Sequence, residues 1–207
     1  CSNEKCDAIY PQSADFTFYG GLYRGAHLIC VPETHFELLH YGDLGIHAAT
    51  EPASWDKEDF MLHIRTKICG VEKDNQVIYQ IFDEDGKEVA SAARPADSPD
   101  TSIPLYKPHR WDIKNSYQYT LKALIMRNNE CLDEVELKFG VRTFCCDPGR
   151  GFLINGNCVP LRGVSRHQDK LYQGNALTKE DHIRDAELIE EIGANTVRLA
   201  HYQHAQE

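Results

Sequence analysis

The sequence lacks any apolar run approaching the length of a membrane span, which argues against a helix crossing a bilayer. It also lacks a positive charge balance. Its 22 Lys and Arg face 32 Asp and Glu, for a net charge of −10. That argues against a surface built for nucleic acid or anionic lipid. No C-x-x-C pair occurs among the eight cysteines, Cys1, Cys6, Cys30, Cys69, Cys131, Cys145, Cys146 and Cys158. Their irregular spacing speaks against a cysteine zinc site and against a disulfide framework. We read them as reduced, buried small hydrophobes of a cytoplasmic protein. No signal peptide is visible, and the first residue is Cys1 rather than Met. The chain closes on "NTVRLAHYQHAQE", just past a strand-like run. Both ends therefore read as cuts through something longer. A length of 207 residues suits one full domain and part of a second.

What is present has two textures. From about Arg24 to Phe144 the chain is strand-like. "HLICV" is a short β-rich run closed by Pro32. "FMLHIRTKI" alternates and places Phe60, Leu62, Ile64, Thr66 and Ile68 on one face. "QVIYQIFDEDGKEVASA" reads as two strands joined through Asp85-Gly86, a strong hairpin signal. "YQYTLKALIMRNNECLDEVELKFG" repeats the plan, with Arg127 to Glu130 as the turn. Pro95, Pro99, Pro104 and Pro108 mark a long irregular connection. Spaced strands without a helical pattern predict a β-sandwich over about residues 24–145. Such a length is enough to bury a core alone.

The texture changes at "CCDPGRGFLINGNCVPLRGVSRH". Asp147-Pro148-Gly149 reads as a linker turn and Asn155-Gly156 as a tight hairpin. "LRGVS" reads as a buried strand. In "TKEDHIRDAELIEEIGAN", Thr178 is an N-cap with Asp181 three residues on, a variant of the capping box. Ile183, Ala186, Ile189 and Ile192 make an apolar stripe, and Gly193 stands where a helix C-cap belongs. "NTVRLA" is another strand. Strand, helix and strand in this order form a βαβ unit with parallel strands.

That unit gives the chemistry a position. His167 follows the first parallel strand and His201 the second, and ligand groups gather at such carboxyl ends. The plainer alternative is that both are exposed loop residues. His201 and His204 are three apart, yet no third metal ligand is evident. Arg198, on a strand read as buried, should face a carboxylate.

These stretches resemble glycoside hydrolase family 2, and within it the β-galactosidases. The residues that carry the likeness are "GFLINGNCVPLRGVSRHQD" and "NALTKEDHIRDAELIEEIGANTVRLAHYQHAQE", together with the opening "ADFTFYGGLYR". The resemblance implies a mainly β chain: an immunoglobulin-like β-sandwich followed by an incomplete (β/α)8 barrel segment. Residues 1–23 would end a jelly-roll sugar-binding domain. Residues 24–145 would be the sandwich, and 146–207 the first β-α-β portion of the catalytic TIM barrel. The implied activity is retaining hydrolysis of terminal β-D-galactosides. Its acid/base and nucleophile glutamates would lie beyond Glu207, so the isolated chain is predicted inactive.

By the same resemblance Arg198 orients and charge-stabilises the nucleophile. His167 and His201 donate hydrogen bonds to sugar hydroxyls. Asp15 binds a sugar hydroxyl and a sodium ion, although from sequence alone it is also readable as a solvated turn carboxylate. Magnesium is implied for the parent protein through ligands outside this chain, as is a homo-oligomeric, cytoplasmic parent. A β-glucuronidase or β-mannosidase of the same architecture, or a structural or carbohydrate-binding sandwich module, stays open. With few barrel strands present, residues from about 146 are expected to be loosely ordered or packed against another copy, with the helix stripe exposed.

Overall fold

A computed structural model describes residues 4, 6–8, 13–39 and 42–205. Contacts divide the chain into two compact units. One is Cys30–Pro160; the other joins the described part of the first 29 residues to residues from Leu161 onward.

The first of these is a β-sandwich. Its strands are β1 (His35–Phe36), β2 (Ile46–Pro52), β3 (Phe60–Thr66), β4 (Ile68–Cys69), β5 (Gln76–Phe82), β6 (Glu88–Pro95), β7 (Thr101–Leu105), β8 (Tyr119–Arg127) and β9 (Glu130–Phe139). A three-stranded sheet runs β2-β3-β7 and a four-stranded sheet runs β6-β5-β8-β9, all antiparallel. The alternation read from the sequence decides which residues face inward. Phe60, Leu62 and Ile64 of β3 pack with Val77, Tyr79 and Ile81 of β5 and with Leu121, Ala123 and Ile125 of β8 in one buried core.

The hairpin turns are local and legible. Between β5 and β6, Gly86 takes φ +77°, and Asp83 Oδ1 accepts from the Asp85 and Lys87 amides. Between β8 and β9, Asn128 and Asn129 take φ 49° and 67°, the left-handed pair that a two-residue turn of this hand requires. The proline-rich connection is less irregular than expected. Within it Pro95 closes β6, and Pro104 lies in β7, an edge strand where the absence of an N–H is tolerated.

Three expectations are corrected here. Residues 27–31, read as a strand, pair with no described strand and are exposed, with Leu28 at 92%. Residues 147–149, read as a linker turn, do form a turn, but one inside a hairpin rather than a linker. It joins β10 (Phe144–Asp147) to β11 (Gly151–Ile154), and Asp147 Oδ1 accepts from the Gly149 and Arg150 amides. β12 (Asn157–Cys158) completes that sheet through the Asn155-Gly156 turn, as read. The cysteines are unpaired but not buried: Cys6, Cys30, Cys131, Cys145, Cys146 and Cys158 are exposed and Cys69 half-buried. On β10 and β12 they fall on short strands with little packed over them. Cys1 lies outside the described residues.

The second unit carries β13 (Gly163–Arg166), α1 (Lys179–Glu191) and β14 (Thr196–Leu199). β13 and β14 are parallel, with Ser165 opposite Arg198. Thr178 caps α1 in a complete capping box with Asp181, and Gly193 follows the helix at φ +78°. The stripe on α1 is largely open, with Ile183 at 49% and Ile192 at 70% exposure. Among the described residues no helix is long and apolar enough to cross a membrane.

Two measurements check the core. Leu121 is fully buried, so Leu121→Ala should lower sandwich stability by roughly 2–5 kcal/mol in urea denaturation. Tyr79 donates to the Pro99 carbonyl and accepts from the Thr66 hydroxyl. Burial raises its pKa from 10.0 to about 12, with Asp100 adding and the Thr66 bond and Arg94 opposing. The unfolded chain therefore loses this proton first. The stability Tyr79 contributes is fully present below pH 10 and is lost as pH rises through about 12. Tyr79→Phe should flatten that decline in urea midpoints measured against pH.

Candidate functional site at the ends of two parallel strands

The carboxyl ends of β13 and β14 bring His167 and His201 together. Their ring centroids are 5.1 Å apart, edge to face. Phe16 packs on both, at 5.6 Å from His167 and 5.8 Å from His201, and on Tyr202 at 5.2 Å. Asp15 is exposed and adjoins Phe16, so its carboxylate rides on the segment that covers both imidazoles. The same segment is held further along. Tyr19 donates to Asp169 at 3.5 Å, and the Arg24 guanidinium donates to the Gln203 carbonyl at 2.5 Å. Gly174, at φ +58°, leaves room for the Tyr19 ring. A Cβ there would stand 2.8 Å from it.

Arg198 departs from expectation. It is exposed, and its guanidinium bonds His201 Nδ1 at 2.9 Å rather than a carboxylate. β13 is the one described strand paired with β14, so the cation opens to water and needs no buried counter-ion. β13, read as buried, is half open for the same reason. A guanidinium only donates, so His201 Nδ1 must accept. The neutral ring then carries its proton on Nε2, where it is a donor.

Residues that the sequence reading passed over lock the two loops. Gln168 is 1% exposed. Its amide N–H donates to the Tyr202 hydroxyl, its side chain donates to the Asn175 carbonyl, and its Oε1 accepts from the Ala205 amide. His204 is buried and is no metal ligand here. Its Nε2 donates to the Ala200 carbonyl at 3.1 Å, while Nδ1 faces the Arg166 guanidinium at 3.4 Å. Arg166 also holds Asp185 at 2.5 Å and His182 Nδ1 at 3.0 Å, which ties α1 to the loop after β14. Nothing in the local sequence around Gln168 or Phe16 announces these contacts. Apart from the Gln168–Asn175 bond, seven positions apart, they join residues some 35 to 185 positions apart.

Several ionisable side chains of this framework are shifted, one of them Tyr202, whose pKa burial raises against the Gln168 amide bond. Burial pushes His204 below the ordinary histidine value, and the charges of Arg166, Arg24 and His182 add to it against the Ala200 bond. Lys170 holds Asp181 well below the usual carboxylate range, helped by the Thr178 amide and Gln173. Asp181 thus serves the helix cap and not the site. For the implied metals the residues do not suffice. Asp15 is one exposed carboxylate, and among the described residues no group of three or more His, Cys, Asp and Glu could hold an ion.

Comparison with known proteins adds the following. Residues 50–142 match the model for glycosyl hydrolases family 2, and residues 148–207 match its TIM barrel domain. A beta-glucuronidase of Bacteroides fragilis is 32% identical over 207 residues, covering 95% of this chain and 29% of that protein. Beta-galactosidase BoGH2A of Bacteroides ovatus is 29% identical, over 82% of this chain and 21% of its own length. Among solved structures, an FMN-binding beta-glucuronidase from Facaelibacterium prausnitzii L2-6 is 50% identical. It superposes with a TM-score of 0.94 over 99% of this chain and 32% of that one. The chain thus spans about a third or less of these relatives.

Two outcomes are expected. Phe16→Ala should shift the ring resonances of half-buried His167 and exposed His201 by removing the neighbouring aromatic ring, while the amides of Val77 and Leu121 stay in place. In an imidazole titration by NMR, His204 should show a midpoint below 6.5. Because the unfolded chain takes up this proton first, the stability His204 contributes is present above 6.5 and is lost as pH falls below it.

Proposed function

Because the chain belongs to glycosyl hydrolases family 2, we propose that it supplies the sugar-recognition rim of a retaining β-glycosidase whose two reacting carboxylates lie outside it. The observation that carries this reading is the juxtaposition at the strand ends: two imidazoles 5.1 Å apart, both packed on Phe16 beside Asp15. Retention requires a nucleophile and an acid/base about 5 Å apart across the glycosidic bond. By family resemblance both are glutamates from later barrel strands.

Each residue here then has a role its chemistry suits. His201, with Nδ1 engaged by Arg198, turns an Nε2–H toward a sugar hydroxyl. His167 donates in the same way. Asp15 accepts from a hydroxyl. Hydrogen bonds of this kind accelerate the reaction to the extent that they tighten as the ring gains oxocarbenium character. Arg198 offers its remaining N–H groups and its charge to the nucleophile carboxylate, which would replace water in front of it. Asp15 is the residue that resemblance offers to sodium, with further ligands needed from elsewhere. Magnesium would be held by residues outside this chain.

For the sugar we place β-D-glucuronides first, on the 50% identity to a beta-glucuronidase across nearly the whole chain. β-D-galactosides come second, on the likeness of "RGVSRHQD" and "RLAHYQH" to galactosidases and on the relative from Bacteroides ovatus. We also infer a cytoplasmic, homo-oligomeric parent. The unpaired cysteines suit a reducing compartment.

Aryl β-glucuronide, β-galactoside and β-mannoside should be assayed with this chain and with its full-length parent. The parent should cleave the glucuronide fastest and this chain none. Turnover by this chain alone would refute the placement of the carboxylates. In the parent, His201→Ala should lower kcat/KM by about 10²-fold, the range for losing a donor that acts in the transition state.

A further inference from the structure

The sandwich carries a second polar site that none of the roles above uses. A groove of about 460 Å³ is lined by His63, Ile64 and Arg65 of β3, Arg94 of β6, and Asp100, Thr101 and Ser102 at the start of β7. Two cations face it without partners. Among the described residues neither the Arg65 nor the Arg94 side chain forms an ion pair or hydrogen bond, although both are exposed. By contrast Arg24, Arg166 and Arg198 are each held by a carbonyl, a carboxylate or an imidazole. In a chain of net charge −10, the two guanidinium groups outnumber the one carboxylate that lines the groove, Asp100.

The acceptors in the groove are equally defined. His63 and Ser102 are opposed in the β3–β7 register. The ring bonds Ser102 Oγ through Nδ1 at 2.8 Å and Glu51 Oε1 through Nε2 at 2.9 Å. A carboxylate only accepts, so His63 Nε2 carries the proton toward Glu51, and in the neutral ring Nδ1 accepts from the Ser102 O–H. That leaves the Ser102 lone pairs open to a donor. Asp100 uses Oδ1 to accept the Thr66 amide at 2.9 Å, which leaves Oδ2 open as well. The groove thus presents two guanidinium donors and two oxygen acceptors.

That set selects among anions. Phosphate would satisfy the arginines but would set more negative oxygen against Asp100 and the Ser102 lone pairs. A neutral sugar would satisfy the acceptors and leave the arginines to water. A hydroxylated carboxylate meets both demands, because guanidinium pairs well with carboxylate and hydroxyls donate to Ser102 and Asp100. The volume falls within the range of small-molecule sites. We propose that this groove binds a uronate, with its carboxylate on Arg65 and Arg94 and its ring hydroxyls on Ser102 and Asp100. The assignment is independent of which sugar is cleaved at the barrel end.

The test is a ¹⁵N NMR titration of the 207-residue chain with methyl β-D-glucuronide, methyl β-D-glucoside and sodium phosphate. The glucuronide should move the amides of Arg94, Thr101 and Ser102 and saturate in the millimolar range, on the order of −4 kcal/mol. The glucoside should bind at least about tenfold more weakly. Arg65→Gln and Arg94→Gln, both at exposed positions, should each weaken the glucuronide about tenfold while core amide shifts stay unchanged. Equal or tighter binding of phosphate at the same amides would reduce the site to a plain anion patch and overturn the proposal. So would the absence of saturable shifts, shifts confined to residues around His167 and His201, or arginine variants that bind as well as the parent chain.

Discussion

Two parallel strands and one helix cannot enclose a core, and the geometry at their ends depends on a polar lock instead. Gln168 spans from the loop after β13 to Asn175 and Ala205, while Arg166 gathers Asp185, His182 and His204 around one guanidinium. Buried polar groups of this kind stabilise only when satisfied, and here nearly every one has a partner. The exception is His182 Nε2, which is buried without one. The position of His201 follows from this lock, since the loop that carries it is pinned at Tyr202 by Gln168 and at Ala200 by His204.

The sandwich rests on a different physics. Its inner faces come from strict alternation on β3, β5 and β8, which makes a buried apolar layer whose polar bonds include those at Tyr79, Tyr119 and Asp59. The two units therefore differ in what a substitution would disturb. In the sandwich, lost volume and lost apolar contact decide the cost. In the strand-end unit, unsatisfied hydrogen bonds and unbalanced charge decide it.

What the sequence made legible follows this division. Local rules sufficed for the alternation of β3, the Asp-Gly and Asn-Asn turns, the capping box at Thr178 and the parallel pair with His167 and His201 at its ends. They failed where a partner decides the outcome. "HLICV" has strand composition but no described strand to pair with. The cysteines have the composition of core residues, yet all those described except Cys69 are exposed, Cys145, Cys146 and Cys158 on short strands, Cys131 on β9, and Cys6 and Cys30 on no strand. Arg198 looked buried because its strand is apolar, yet burial depends on neighbouring strands and not on the strand itself. Phe16 is the clearest case: an aromatic beside Asp15 whose partners lie about 150 to 185 residues away.

Pro104 has a consequence for association. β7 is the outer strand of its sheet, where an unpaired row of N–H and C=O groups would accept a strand from another molecule. A proline one residue from the end of that five-residue strand removes one donor and interrupts the ladder an incoming strand would need. This edge of the sandwich is thereby protected against pairing with a strand of another molecule. At that edge an association of copies has to rely on side chains, whereas β2, β6 and β9, the other outer strands, carry no proline in their interior.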